Sequence, residues 1–113
     1  MFTEMMMSGS GGGTDELVVE NQHHATNFPL NTWRDTGVPI TDKTRAIIVV
    51  GALNDWSITV KEGDLWKMVA YDNVPTPSTH PYLDVKVENG TVWGKGLSSG
   101  VIVPYVLTLA VAD

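Results

Sequence analysis

The spacing of apolar residues is what most constrains the fold of this chain. Nowhere do apolar residues keep a helical spacing of about 3.6 residues, free of Gly and Pro, for three turns. Apolar and polar residues alternate instead, and runs of β-branched residues recur. Because 113 residues suffice for one small domain, the sequence predicts an all-β fold, a small antiparallel β-sandwich or jelly-roll-like barrel with an extended N-terminal arm.

Composition divides the chain into three segments. Residues 1–14 are rich in Met, Gly and Ser and predict an arm with almost no side chain to bury. Residues 15–43 are interrupted by Asn, Thr, Pro and Gly, which predicts an extended segment wrapped over the body. Residues 44–113 are the predicted β-body, with about six strands.

Two runs in the middle of the chain predict neighbouring strands. Residues 56–60 alternate cleanly, which predicts that Trp56, Ile58 and Val60 face the core. A Gly-Asp turn then leads into residues 65–71, so we expect a hairpin.

A second hairpin is predicted at Asn89-Gly90. Residues 83–88 alternate between apolar and charged side chains, and the Asn-Gly pair follows at once. Both central residues of a type I′ turn need positive φ, which Asn and Gly tolerate. The sequence therefore predicts that Val87 lies opposite Val92.

The last apolar run carries more hydrophobic surface than a small core uses. The odd-numbered residues of 101–111 are predicted to share one face, and the opposite face is also largely apolar. Pro104 predicts a bulge or a sheet edge within this strand. With the apolar run 46–50, this excess predicts an oligomer contact, for which the candidate residues are Ile47, Val49, Ile102 and Val106.

Net charge and composition exclude several classes of partner and of chemistry. Seven Lys and Arg against thirteen Asp and Glu give a net charge of −6, the wrong sign for nucleic acid or anionic lipid. The chain has no Cys, so thiol catalysis and Cys-type metal centres are excluded. Apolar stretches fall well short of the roughly 20 residues that cross a bilayer, and the N-terminus lacks a signal-peptide pattern. We expect a soluble, non-secreted protein without membrane insertion.

One motif offers a catalytic alternative. Asp35-Thr36-Gly37 matches the Asp-Thr/Ser-Gly core of aspartic proteases, in which two aspartates of a dimer share one proton. The flanking residues differ from that pattern, and the same tripeptide is typical of a turn that begins with Asp. No catalytic residue is predicted, and we expect a protein that is not an enzyme.

Three histidines are candidate metal ligands. His23 and His24 are adjacent, so on an extended chain they point in different directions, and His80 is distant in sequence. The sequence predicts no metal and no cofactor.

Aromatic residues supply the candidate contact residues. Trp93 is expected opposite Lys86 on an outward face, Trp33 lies in a loop, and Tyr82 follows a Pro-rich stretch. Indole and phenol rings stack on sugar rings and also anchor protein interfaces. Trp33, Trp93 and Tyr82 are therefore predicted to contact a ligand or a subunit, and a stand-alone carbohydrate-binding β-domain is the alternative function.

The whole layout resembles small accessory virion proteins of tailed bacteriophages: fibre heads, tail-tip knobs and capsid decoration proteins. The features are the Met/Gly/Ser arm, the punctuated segment 27–40 and a helix-poor body ending in an apolar strand. The resemblance implies a non-enzymatic structural protein, located in the virion, that attaches by its arm and forms homo-oligomers, a trimer being favoured. Its implied partners are other virion proteins and a host surface glycan. The proposed arm anchors are Phe2, Met5, Met6 and Met7.

Overall fold

The computed structural model describes residues 16–52, 56–72, 82–97 and 99–112, apart from the side chains of 22–25 and 72. This part of the chain contains strands and no helix. The strands are β1 (Leu17–Phe28), β2 (Arg34–Pro39), β3 (Thr44–Val50), β4 (Trp56–Glu62), β5 (Leu65–Asp72), β6 (Leu83–Glu88), β7 (Thr91–Gly96) and β8 (Val101–Val111).

The strands form two antiparallel sheets. The larger sheet has the order β1-β8-β3-β4-β5, and the smaller one has the order β2-β7-β6. The predicted all-β fold is confirmed, and the arrangement is consistent with a small β-sandwich. The segment 15–43 supplies β1 and β2, so both sheets use it. The proposed arm, residues 1–14, lies outside the described residues.

The core lies between the two sheets. The larger sheet contributes Phe28, Ile47, Val49, Val101, Val103 and Val106, and the smaller one contributes Val38, Leu83, Val85 and Val92. Inward-facing residues of both sheets interdigitate in this way in sandwiches generally. Trp66 and Met68 of β5 pack against this core from one side.

Both predicted hairpins form. Strands β4 and β5 pair around a turn in which Gly63 has φ 63°. Strands β6 and β7 pair with Val87 opposite Val92, and Asn89 and Gly90 have φ 53° and 79°. These two angles are those that a type I′ turn requires, so the local sequence fixes this hairpin.

The orientation of β4 is the reverse of the prediction. Ser57 and Thr59 face the core and are fully buried, whereas Trp56 and Ile58 are half-buried on the other side of the sheet. Val60, the third residue predicted to face the core, lies on the same side as Trp56 and Ile58 and is buried. Neither buried hydroxyl has a hydrogen-bond partner among the described residues. Alternation predicted the correct period here, but the choice of face depends on the register with β3, in which Ser57 pairs with the buried Val49.

The face predicted for β8 is also corrected. Val101 and Val103 are buried, but after Pro104 the buried residues are Val106, Thr108 and Ala110. The inward face therefore changes parity at Pro104 and Tyr105. The pairing of β3 with β8 ends at Val50 and Tyr105, so Pro104 lies where β8 leaves that ladder, as expected of a residue without an N–H.

A close contact between Phe28 and Gly94 joins the sheets. Phe28 ends β1, is fully buried, and lies with its ring over Gly94 of β7. A Cβ atom built on Gly94 would lie 2.2 Å from Cζ of that ring, well inside van der Waals contact. Because the ring is enclosed by core residues, it has little room to move away, and only glycine fits.

Gly94→Ala is expected to lower the free energy of unfolding by about 1–3 kcal/mol, because the added methyl group overpacks the core. Urea unfolding of the purified chain measures this. Gly100→Ala is the matched control, since its Cβ would lie 3.6 Å from the nearest atom, an ordinary contact. Equal losses in the two variants would contradict the packing argument.

Candidate functional site

Two tryptophans and two lysines form one cluster on the outer side of the smaller sheet, here called the Trp–Lys face (Trp33, Lys86, Trp93 and Lys95). Lys86 Nζ lies 4.5 Å from the Trp33 ring centroid and 5.5 Å from that of Trp93. Lys95 Nζ lies 4.8 Å from the Trp33 centroid. One ammonium group thus bridges both rings, by cation–π contacts.

The strand register places these side chains. Trp93 of β7 pairs with Lys86 of β6 on one side and with Asp35 of β2 on the other. Because Gly94 faces inward, its neighbours Trp93 and Lys95 face outward. Trp33 immediately precedes β2, next to the pair that Arg34 forms with Gly94.

Acidic groups surround the Trp–Lys face. Lys86 Nζ forms an ion pair of 2.6 Å with Glu88 Oε1, and Asp84 lies opposite Lys95 in the register. The Trp93 Nε1–H group donates a hydrogen bond of 2.9 Å to the main-chain carbonyl of Glu88. This hydrogen bond fixes the orientation of the Trp93 indole along the hairpin. The acidic groups balance the two lysines, so the Trp–Lys face carries no excess of positive charge.

Tyr82, the third predicted contact residue, immediately precedes β6 and is 36% exposed. Its main-chain carbonyl accepts a hydrogen bond from the Leu97 N–H, which extends the pairing of β6 and β7 to the end of the Trp–Lys face. The structure therefore brings Trp33 and Trp93 together and leaves Tyr82 at the rim. The Pro75–Pro81 stretch and the arm anchors Phe2, Met5, Met6 and Met7 lie outside the described residues.

The outer side of the larger sheet is a second candidate surface, here called the apolar face. Its rows follow the register: Leu107, Ile48, Ile58 and Ala70 form one row, and Tyr105, Val50 and Trp56 form the next. Leu109, Ala46 and Val60 form a third row. None of these residues belongs to the core cluster. Ala46 and Val60 are nevertheless buried, Tyr105 is 39% exposed, and the other residues of the three rows are half-buried.

The predicted oligomer residues divide between core and surface. Ile47, Val49 and Val106 are 0% exposed within the chain's own core. This corrects the prediction for these three side chains, because the register turns them inward and turns their sequence neighbours outward. Ile102 is 66% exposed and lines an open pocket of about 430 Å³ beside Arg34.

Asp35 takes part in a local turn. Its Oδ1 accepts a hydrogen bond of 2.8 Å from the Gly37 N–H, and Gly37 has φ 81°. The buried Thr36 hydroxyl donates to the carbonyl of Val92. These are the contacts of an Asx turn at a bulge between β2 and β7.

The described residues do not test a metal site formed by the three histidines. His23 and His24 lie in β1, where their side chains are not described, and His80 lies outside the described residues. Among the side chains that the structure describes, no cluster of three or more His, Asp or Glu residues could hold a metal ion.

One carboxylate and three threonine hydroxyls, which the sequence analysis does not predict, form a hydrogen-bonded cluster at the bulge of β1. Glu20 occupies the bulge between Val19 and Asn21, where it accepts hydrogen bonds from three hydroxyl groups. Those of Thr41 and Thr44 are 2.6 Å long, and that of Thr108 is 3.3 Å. Partial burial by itself raises the pKa of Glu20, but the three hydrogen bonds together outweigh it and hold the pKa below its ordinary value of 4.5.

Comparison of the chain with protein-family models, curated proteins and solved structures found no match. In the part of the chain that the structure describes, no helix is long and apolar enough to cross a membrane. Interpretation of the two faces therefore rests on their geometry.

Lys86 and Lys95 are the site residues that sequence analysis left out of the contact set. For Lys86 the sequence contains an indication, because alternation and the Asn-Gly turn place it opposite Trp93. The sequence does not indicate the position of Trp33, which contacts both lysines only because β2 pairs with β7.

Glu20→Gln is expected to lower the free energy of unfolding by about 1–2 kcal/mol at neutral pH, since hydrogen bonds to a charged acceptor are lost. Because folding lowers the pKa, the carboxylate's contribution is complete above the unfolded value of 4.5 and is lost as pH falls through the folded value. The difference between wild type and variant should therefore shrink on acidification, as measured by urea unfolding at a series of pH values.

Glu62→Gln is the control for this experiment. Glu62 ends β4 with an exposed side chain, so its replacement should change the unfolding free energy little at any pH. A difference between wild type and Glu20→Gln that stays constant down to about pH 3 would contradict the role given to the Glu20 carboxylate.

Proposed function

We propose that this protein is a non-enzymatic structural component of a tailed-phage virion that self-associates through its apolar face. The observation that supports the self-association is the continuous set of apolar side chains, most of them half-buried, on the outer side of β8, β3, β4 and β5. Attachment to the particle is assigned to residues 1–14, and the virion setting follows from the likeness seen in the sequence.

The distribution of polar residues on β4 supports this proposal. Its inward residues include Ser57 and Thr59, whereas its outward residues include Trp56 and Ile58. In a sheet that faces water, the polar set is expected outside and the apolar set inside. The outward Trp56 and Ile58 on this strand are therefore consistent with a sheet that is also covered on its outer side.

A second copy of the chain is the occupant that we propose for this face. The outward residues that β8, β3 and β4 contribute to the three rows are uncharged, and Lys67 and Asp72 end two of these rows in β5. Two negatively charged copies can therefore meet over β8, β3 and β4 with little close repulsion. A sheet face can also pack against its own copy across a two-fold axis. A two-fold pair is therefore favoured over the trimer expected from the sequence, which would need two different surfaces in contact.

The size of the face corresponds to a small interface. Strands about 4.8 Å apart and about 3.3 Å per residue give its four strands and three rows a footprint on the order of 400 Å². Two copies would bury about 800 Å², which corresponds to a weak pair that forms as concentration rises. Such a pair needs the whole face, so a single charge near its centre should abolish pairing.

Leu107→Lys tests this, with molar mass measured by light scattering across a concentration series. We expect the wild type to have the mass of at least two copies and the variant to be a monomer, its dissociation constant raised about 100-fold or more by burial of the charge. Leu30→Lys is the control, because Leu30 is 47% exposed and lies outside the apolar face. It should leave the mass unchanged.

Ile58→Thr provides a second variant in case Leu107→Lys disturbs folding, since Thr keeps the β-branched shape that strands favour. Far-UV circular dichroism checks both folds. A monomeric wild type at all concentrations would overturn self-association, as would a mass that neither substitution on the apolar face reduces.

A further inference from the structure

We propose that the Trp–Lys face binds a pyranose ring of a neutral saccharide. This goes beyond the proposed structural function, because that function uses the opposite side of the molecule. Three features of this face support the proposal. The two indoles are close together, the lysines that cover them are easily displaced, and hydrogen-bond donors and acceptors surround them.

The two indole rings are close enough to serve one ligand. Lys86 Nζ is within 5.5 Å of both centroids, so the rings are no more than about 10 Å apart. Both belong to the same outward face, and neither is part of the core cluster. This separation lies within the length of a disaccharide, whose apolar C–H faces stack on indole.

The lysine side chains lie over the indole rings, and a ligand can displace them. A cation–π contact at an exposed site contributes only about 0.5–1 kcal/mol, and a lysine side chain is long and flexible. A sugar ring can therefore replace an ammonium group on an indole at small cost. The displaced ammonium of Lys86 or Lys95 then remains beside the ligand as a hydrogen-bond donor.

The charges around the rings favour a neutral ligand. Two lysines stand beside three carboxylates, those of Asp35, Asp84 and Glu88. A sugar hydroxyl both donates and accepts, so it can use ammonium and carboxylate groups together. A uronate or a phosphate would meet the carboxylates at close range and gain little from lysines that are already balanced.

The position of this face agrees with a surface left open in an assembly. The Trp–Lys face and the apolar face are the outer surfaces of the two sheets, so they point to opposite sides of the sandwich. Stacking of two copies on the apolar face leaves both Trp–Lys faces accessible. Sugar binding does not depend on that pairing, because all four residues come from one chain.

Isothermal titration of the full chain tests the proposal with pentaoses of glucose, galactose and mannose as probes, and with an oligogalacturonate as the anionic comparison. We expect saturable binding to at least one neutral pentaose. Trp33→Ala and Trp93→Ala should each raise its dissociation constant about tenfold, the effect of losing one stacked ring. Trp56→Ala is the matched control, because Trp56 lies on the apolar face, and it should bind as the wild type does.

Trp33→Phe and Trp93→Phe keep an aromatic ring and should retain most of the affinity, which separates stacking from a loss of fold. Circular dichroism of each variant checks the fold independently. Three results would each overturn the proposal: no binding to any neutral pentaose, binding to the oligogalacturonate alone, or neutral binding that survives alanine at both tryptophans.

Discussion

The contact of the Phe28 ring with Gly94 decides much of the rest of this structure. It seats the end of β1 against the inner face of β7 and so joins the larger sheet to the smaller one. With Gly94 facing inward, alternation turns Trp93 and Lys95 toward solvent. The same contact that closes the core therefore also sets the direction of the Trp–Lys face.

The larger sheet divides its side chains in an unusual way. Its inner face includes the hydroxyls of Ser57, Thr59 and Thr108, whereas its outer face has three apolar rows. The proposed self-association would cover the outer apolar rows.

The two proposals use different sides of one small domain. They place a contact with a second copy on the apolar face and a contact with a sugar on the Trp–Lys face. Glu20 strengthens the frame that carries them, because its carboxylate links the bulge of β1 to the hydroxyls of Thr44 and Thr108, which belong to β3 and β8. This linkage holds the edge strand that follows the N-terminal residues.

The sequence by itself determined the fold class, the β6–β7 hairpin and the pairing of Lys86 with Trp93, because these depend on local alternation and on turn residues that accept positive φ. It also marked Trp33 and Trp93 as contact candidates. Tertiary structure alone decided that Ile47, Val49 and Val106 face the core, and that Trp33 joins Lys86 and Lys95. The physical reason is that alternation fixes a period of two but not which side is buried, and that choice depends on register between strands distant in the chain. The pairing of β3 with β8 fixes the first of these choices, and the pairing of β2 with β7 fixes the position of Trp33.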